Sequence, residues 1–194
     1  MTGNVKLVLE DGTELLGRGF GAPKTVVGEV VFNTAMTGYV ETLTDPSYRG
    51  QILVMTFPLV GNYGVPASRP KDSIDPPFES DSVQVQGLVV QRHVPSYSHY
   101  AAARSLGDWL KSDDVPGVAG IDTRTLTRRL REHGTMKGWL FDATLSLEDA
   151  KSGAASVSMT DEVFQLVAPF KVERYGDGAH TIMLIDVGAK DNII

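Results

Sequence analysis

Cysteine is absent from the 194-residue sequence, which excludes a disulfide framework, a thiolate nucleophile and cysteine-ligated zinc within it. Long apolar runs are absent as well, since none approaches the ~20 residues that cross a bilayer. The first residues, Met1 to Glu10, carry neither the apolar core nor the cleavage pattern of a signal peptide. We therefore expect a soluble, cytoplasmic protein without a membrane anchor.

An excess of positive charge is also missing, because 18 Lys and Arg residues stand against 24 Asp and Glu residues and the net charge is -6. A nucleic-acid-binding surface usually needs a basic face, so this class of function is disfavoured. We interpret the dense basic cluster of Arg128, Arg129 and Arg131 as a solvated helix face or an interface. With 42% hydrophobic residues, the chain has enough apolar side chains to bury a core.

Short apolar segments rich in β-branched residues predict a series of strands. The predicted strands cover residues 5–10, 14–20, 28–34, 51–57, 83–90, 115–121 and 135–141. Asp11-Gly12 predicts a hairpin turn between the first two. Helical spacing of apolar residues predicts one helix over 98–111 and another from Asp122 or Thr123 to about His133, with Gly134 as its stop. These patterns predict a mixed α/β domain.

The composition changes after Phe141. Residues 143–178 are richer in small and polar residues, predict weak helical character and end in the breaker Gly176-Asp177-Gly178. Residues 181–187, TIMLIDV, then predict a buried strand. We interpret residues 1–142 as one domain, 143–180 as a linker and 181–194 as the first strand of a second, truncated α/β domain. A strand left without partners also predicts aggregation, a disordered C-terminus or self-association through this segment.

Side chains that support chemistry are sparse. The four histidines are His93, His99, His133 and His180, and neither G-x-S-x-G nor H-E-x-x-H occurs. The glycines of residues 17–21, GRGFG, follow a hairpin and do not open a helix, so they predict strand bending rather than phosphate binding. Glu29, Glu41 and Asp45 are acid–base candidates only by proximity in sequence, and Asp45 suits a turn in which its side chain binds downstream amides. The residues alone indicate no reaction and no metal site.

Longer segments carry a family resemblance. The run 28–66, GEVVFNTAMTGYVETLTDPSYRGQILVMTFPLVGNYGVP, closely resembles the signature stretch of the carbamoyl-phosphate synthetase small chain. The opening LVLEDGTELLGRGFG, the segments GLVVQ and GIDTRTLTRRLREHGTMKG, and the final TIMLIDVGAKDNII are similar to further family segments in the same order. The resemblance covers nearly the whole chain and is weakest at residues 67–82 and 143–179.

The resemblance implies an N-terminal domain of the swivelling β/β/α, three-layer type, followed by the start of a glutaminase domain. In that family a Cys–His–Glu triad hydrolyses glutamine, and the ammonia passes through a tunnel to the large subunit. There it reacts with carboxyphosphate, formed from bicarbonate with ATP and Mg, to give carbamoyl phosphate for pyrimidine and arginine synthesis. The expected partners are the large subunit, the chain's own glutaminase domain and glutamine, and no cofactor is expected within these residues.

One residue role carries over from the family. The serine of its T-D-P-S-Y segment lies near the glutamine pocket and contacts the substrate, and that serine is Ser47 here. A serine after a rigid Asp-Pro turn can present its hydroxyl to a neighbour, although Ser47 could also serve only to cap the turn. The triad would lie beyond Ile194, so the resemblance implies a fragment that is inactive alone. The alternative is a freestanding binding or scaffold domain, which the apolar segment 181–187 disfavours.

Overall fold

The computed structural model describes residues 3–67, 78–154 and 162–194. Its strands are β1 (Asn4–Leu9), β2 (Glu14–Gly21), β3 (Val26–Asn33), β4 (Gln51–Met55), β5 (Leu59–Val60), β6 (Val65–Pro66), β7 (Gly87–Val90), β8 (Arg92–His93), β9 (Ala102–Arg104), β10 (Pro116–Ala119) and β11 (Met136–Asp142). Its helices are α1 (Tyr39–Thr44), α2 (Leu106–Ser112), α3 (Thr123–His133), α4 (Leu147–Gly153) and α5 (Val163–Val167). The described residues therefore form a mixed α/β structure, which confirms the predicted class.

Seven strands form a closed barrel in the order β1-β11-β3-β4-β7-β10-β2, with β2 returning to β1. The β1–β2 hairpin turns at Gly12, whose φ of 84° is accessible to glycine at little cost. The pairs β3–β4, β4–β7 and β7–β10 are parallel, so each needs a crossover connection. The β3–β4 crossover contains α1, and the β7–β10 crossover contains α2. The three-layer arrangement implied by the resemblance stays a prediction.

Alternation along the strands divides the core into two main layers. In β4, Ile52 and Val54 belong to one apolar cluster, whereas Leu53 and Met55 belong to another. The first cluster receives side chains from all seven barrel strands and therefore fills the barrel, where Leu126 of α3 also packs. The second lies outside the barrel beneath α1 and α2, and its members include Leu43, Leu88, Leu106 and Trp109.

The helix predicted over residues 98–111 is wrong in its first half. Ala102–Arg104 form β9, which pairs with β6, and α2 begins only at Leu106. The side chain of Ser105 accepts a hydrogen bond from the Asp108 amide and so caps the helix. A helical spacing of apolar residues did not reveal this boundary, because the tertiary pairing of β9 overrides the local pattern.

The other predicted helix is confirmed. Asp122 caps α3 by accepting from the Thr125 amide. Gly134, with a φ of 86°, follows the last residue of the helix, His133.

The strand predicted over residues 181–187 does not form in the structure. Residues 83–86, at the start of a predicted strand, also lie outside β7. Among the helices that the structure describes, none is long and apolar enough to cross a membrane.

Candidate functional site

The Ser47 turn, which comprises Asp45 and the 3-10 helix Pro46–Tyr48, connects α1 to β4. The carboxylate of Asp45 accepts a hydrogen bond from the Ser47 amide through Oδ1, at 2.9 Å. Pro46 is buried and fixes the first backbone angle of the 3-10 helix. The prediction that Asp45 binds a downstream amide is thereby confirmed. Ser47 itself is exposed, on a turn that its neighbours anchor.

Two stacked tyrosines fix the helix that leads into this turn. The rings of Tyr39 and Tyr63 lie 4.1 Å apart, and the Tyr63 hydroxyl oxygen accepts from the amides of Gly38 and Tyr39 at the start of α1. The Tyr39 hydroxyl donates to the carbonyl of Gly64 at 2.6 Å. Burial raises the pKa of both phenols, so both remain protonated at neutral pH.

The end of the turn is held to the barrel. Asn33, the last residue of β3, donates from Nδ2 to the Tyr48 hydroxyl at 3.1 Å. Arg49 contacts the buried side chain of Gln84 at 3.4 Å from Nη1 to Oε1. The Ser47 turn is therefore tied at both ends to elements that pack on the core.

The C-terminal segment, residues 186–194, lies against the Ser47 turn. Lys190 places its Nζ 2.7 Å from Asp45 Oδ2, and this hydrogen bond raises the pKa of Lys190 despite partial burial, with the charge of Asp45 adding to the effect. The two oxygens of Asp45 thus hold two different segments, the Ser47 amide and Lys190. Within the C-terminal segment, the carboxylate of Asp186 accepts hydrogen bonds from the amides of Gly188 and Ala189 and so fixes the backbone just before Lys190.

Glu79 provides a second contact between the C-terminal segment and this region. Its carboxylate oxygens accept from the Asn192 amide at 3.3 Å and from Asn192 Nδ2 at 2.9 Å. Its backbone amide donates to Thr44 Oγ1 at 2.9 Å, directly before the Ser47 turn. The Ser47 turn and the C-terminal segment are thus joined by an ion pair at Asp45 and by the hydrogen bonds of Glu79.

The other sequence candidates lie elsewhere. Glu29 is on barrel strand β3, where it accepts from Gln51 Nε2 at 3.3 Å, and Glu41 is on α1. His93 stacks on Phe20 with ring centroids 4.1 Å apart, and burial lowers its pKa. The described residues contain no group of three metal-ligating side chains. Of the basic cluster, Arg129 pairs with Asp11, whereas Arg128 and Arg131 are exposed on α3.

Sequence reasoning missed the partners of the turn. These partners are Lys190, Glu79 and Asn192. Their positions are distant in the sequence from Ser47, and no motif spacing connects them. A local signal existed only for Asp45, whose side chain bonds within its own turn.

Comparison with known proteins gives consistent matches. The family model described as carbamoyl-phosphate synthase small chain, CPSase domain, matches residues 7–140. The carbamoyl phosphate synthase small chain of Symbiobacterium thermophilum is 46% identical over 198 residues, which cover 96% of this chain and 51% of that protein. The small chain of Saccharolobus solfataricus is 43% identical over 188 residues, with 97% and 51% coverage. Multifunctional protein pyr1-3 of Dictyostelium discoideum is 42% identical over 200 residues, which cover 97% of this chain and 9% of that protein. The chain spans about half the length of the small chains that it matches.

Proposed function

Because the chain belongs to the carbamoyl-phosphate synthase small chain family, we propose that it forms the N-terminal part of a glutamine-hydrolysing subunit of that enzyme. In this role it supports glutamine hydrolysis and the delivery of ammonia to the large subunit. The carbamoyl phosphate formed there supplies pyrimidine and arginine synthesis in the cytoplasm. ATP and Mg act in the large subunit, and this chain holds neither.

The observation that carries the proposal is the exposed Ser47 on its anchored turn, with the C-terminal segment beside it. We propose that the Ser47 hydroxyl hydrogen-bonds to glutamine in a pocket completed by the following glutaminase domain. A turn fixed by Asp45, Tyr48 and Arg49 holds the hydroxyl in place before substrate arrives, which lowers the entropic cost of binding.

The proposed division of the chain follows the sequence prediction, with a domain over 1–142, a linker over 143–180 and the opening of the glutaminase domain over 181–194. The apolar side chains of 181–187 are largely exposed here, and we propose that the glutaminase domain covers them. The sequence has no cysteine, so these residues alone offer no thiol to form the acyl intermediate. We therefore expect the 194-residue chain to be inactive as a glutaminase.

The test uses the complete small chain in complex with the large subunit. The substitution Ser47→Ala removes one hydrogen bond to glutamine, so the KM for glutamine in carbamoyl phosphate formation should rise about five- to tenfold. Ammonia-dependent synthesis should be unchanged, because it bypasses the glutamine site. Ser96→Ala, at another exposed serine, is the matched control and should leave both rates as they are.

A scaffold role is the second candidate. The exposed arginines of α3 favour this role, because they could form an interface with a partner. If Ser47→Ala leaves the KM for glutamine unchanged, the substrate role of Ser47 is wrong and the chain serves only to assemble the complex. If the complex forms no carbamoyl phosphate from either nitrogen source, the proposed enzyme function itself is wrong.

A further inference from the structure

Glu79 lies between the Ser47 turn and the C-terminal segment and contacts both. On the turn side, its backbone amide donates to Thr44 Oγ1, and the next residue, Ser80, donates from its hydroxyl to the Thr44 carbonyl at 2.6 Å. Thr44 is fully buried and is the last residue of α1. Residues 79 and 80 are therefore fixed to the residue that directly precedes the turn.

On the other side, Glu79 makes three contacts to the C-terminal segment. Its backbone carbonyl accepts from the Asp191 amide at 3.1 Å. Its carboxylate accepts from both the backbone amide and the side-chain amide of Asn192. An ionised carboxylate can only accept hydrogen bonds, and both groups that face it are donors, so the polarity of the pair is matched.

From these contacts we infer that the Glu79 carboxylate is a positioning residue, which sets the place of residues 190–192 relative to the Ser47 turn and thereby the affinity for glutamine. The inference rests on the proposed function. Glu79 does not contact the substrate in this scheme. It acts through Asn192, because segment 190–192 also contains Lys190, the partner of Asp45 in the turn.

The contacts to the two sides are separable by mutation. The contacts to Thr44 use the backbone of Glu79 and the side chain of Ser80, so a substitution at Glu79 leaves them in place. The contacts to Asn192 use the Glu79 carboxylate and are lost or altered, whereas the backbone carbonyl of Glu79 still accepts from the Asp191 amide. A change at Glu79 therefore loosens the C-terminal segment without removing the support of α1.

The experiment exchanges the two chemical groups in the complete small chain bound to the large subunit. Glu79→Gln replaces one of the two acceptor oxygens by an NH2 donor, so one of the two Asn192 donors loses its acceptor. Asn192→Asp replaces the side-chain donor by a carboxylate that faces the carboxylate of Glu79. Each single variant should raise the KM for glutamine about three- to tenfold. The double variant Glu79→Gln with Asn192→Asp restores a donor against an acceptor and keeps the local charge, so its KM should return to within about twofold of the wild type. Glu132→Ala, at an exposed glutamate on α3, is the control.

A second readout separates this inference from the proposed function. Hydrogen exchange of the amides of residues 191–194 should speed up in each single variant and recover in the double variant, whether or not glutamine is the substrate. Recovery in both exchange and KM supports the inference. The inference is wrong if hydrogen exchange is unchanged in the single variants. It is also wrong if the KM of the single variants for glutamine stays normal while Ser47→Ala raises the KM for glutamine. If the complex makes no carbamoyl phosphate, the proposed function fails, and the affinity part of the inference fails with it, even where the exchange data show that Glu79 positions the segment.

Discussion

At the scale of single residues, the Ser47 turn depends on polar groups that satisfy backbone donors. The first amides of a helix have no partner within it, and at α1 the Tyr63 hydroxyl accepts from two of these donors. Gly38, which precedes the helix, has a φ of 80° and no side chain to act as a cap, so the distant tyrosine replaces the usual capping residue. The start of α1 is thus stabilised from outside the helix.

Removal of the Tyr63 hydroxyl tests this cap. Tyr63→Phe keeps the ring stacked on Tyr39 but leaves the amides of Gly38 and Tyr39 without their acceptor. We expect a loss of about 1–3 kcal/mol in the free energy of unfolding, measured by urea denaturation. Tyr100→Phe is the control, because Tyr100 is 94% exposed and should change stability little. Equal stability of the Tyr63→Phe and wild-type proteins would contradict the cap.

The sequence predicted the site only where its contacts are local. The Asx-type contact of Asp45 spans two residues, and a known turn preference reveals it. Glu79, Lys190 and Tyr63 reach the site through tertiary contacts, for which the sequence has no periodic signal. Ser47 was identified through the resemblance to a family, and its role in binding glutamine stays a prediction.

At the scale of elements, hydrophobic periodicity and turn residues located most barrel strands and the ends of α3. They failed where pairing decides the structure, as in β9, which the local pattern assigned to a helix. Residues 181–187 have the composition of a strand but no strand structure, since a strand exists only with a neighbour to pair with.

The turn between β1 and β2 is joined to α3 by the Asp11–Arg129 ion pair, which gives a pH-dependent contribution to stability. Burial alone would raise the pKa of Asp11, but hydrogen bonds from Thr13 and the Arg129 guanidinium lower it to about 2, from 3.8. A folded-state pKa below the unfolded value means that this stability is present above about pH 4 and is lost as the pH falls to about 2.

Asp11→Asn should therefore lower stability by about 0.5–1 kcal/mol at pH 7, since the pair is partly exposed. The difference between wild type and variant should shrink as the pH falls from about 4 to 2. Thermal unfolding across that range measures it, with Asp177→Asn, at an exposed aspartate, as the control. A difference that is constant with pH would show that the effect of the substitution is steric rather than electrostatic.

At the scale of the whole molecule, closure of the barrel follows from pairings that no single segment encodes. β2 pairs with both β1 and β10, and this joins the antiparallel hairpin to the parallel strands. A chain with this closed barrel has no free sheet edge among its barrel strands. Most of the exposed large apolar side chains among the described residues lie instead in the last part of the chain, where Ile182 is 93% and Ile185 is 84% exposed.

This surface predicts that the 194-residue chain alone self-associates, because exposed isoleucines gain free energy when they are buried. The double substitution Ile182→Lys with Ile185→Lys should raise the dissociation constant at least about tenfold, as measured by sedimentation equilibrium. Met36→Lys is the control, since Met36 is 72% exposed but lies in the loop before α1. A wild-type chain that stays monomeric at high concentration would contradict the prediction. Suppression of the association when the glutaminase domain is present would support the proposal that this domain covers residues 181–187.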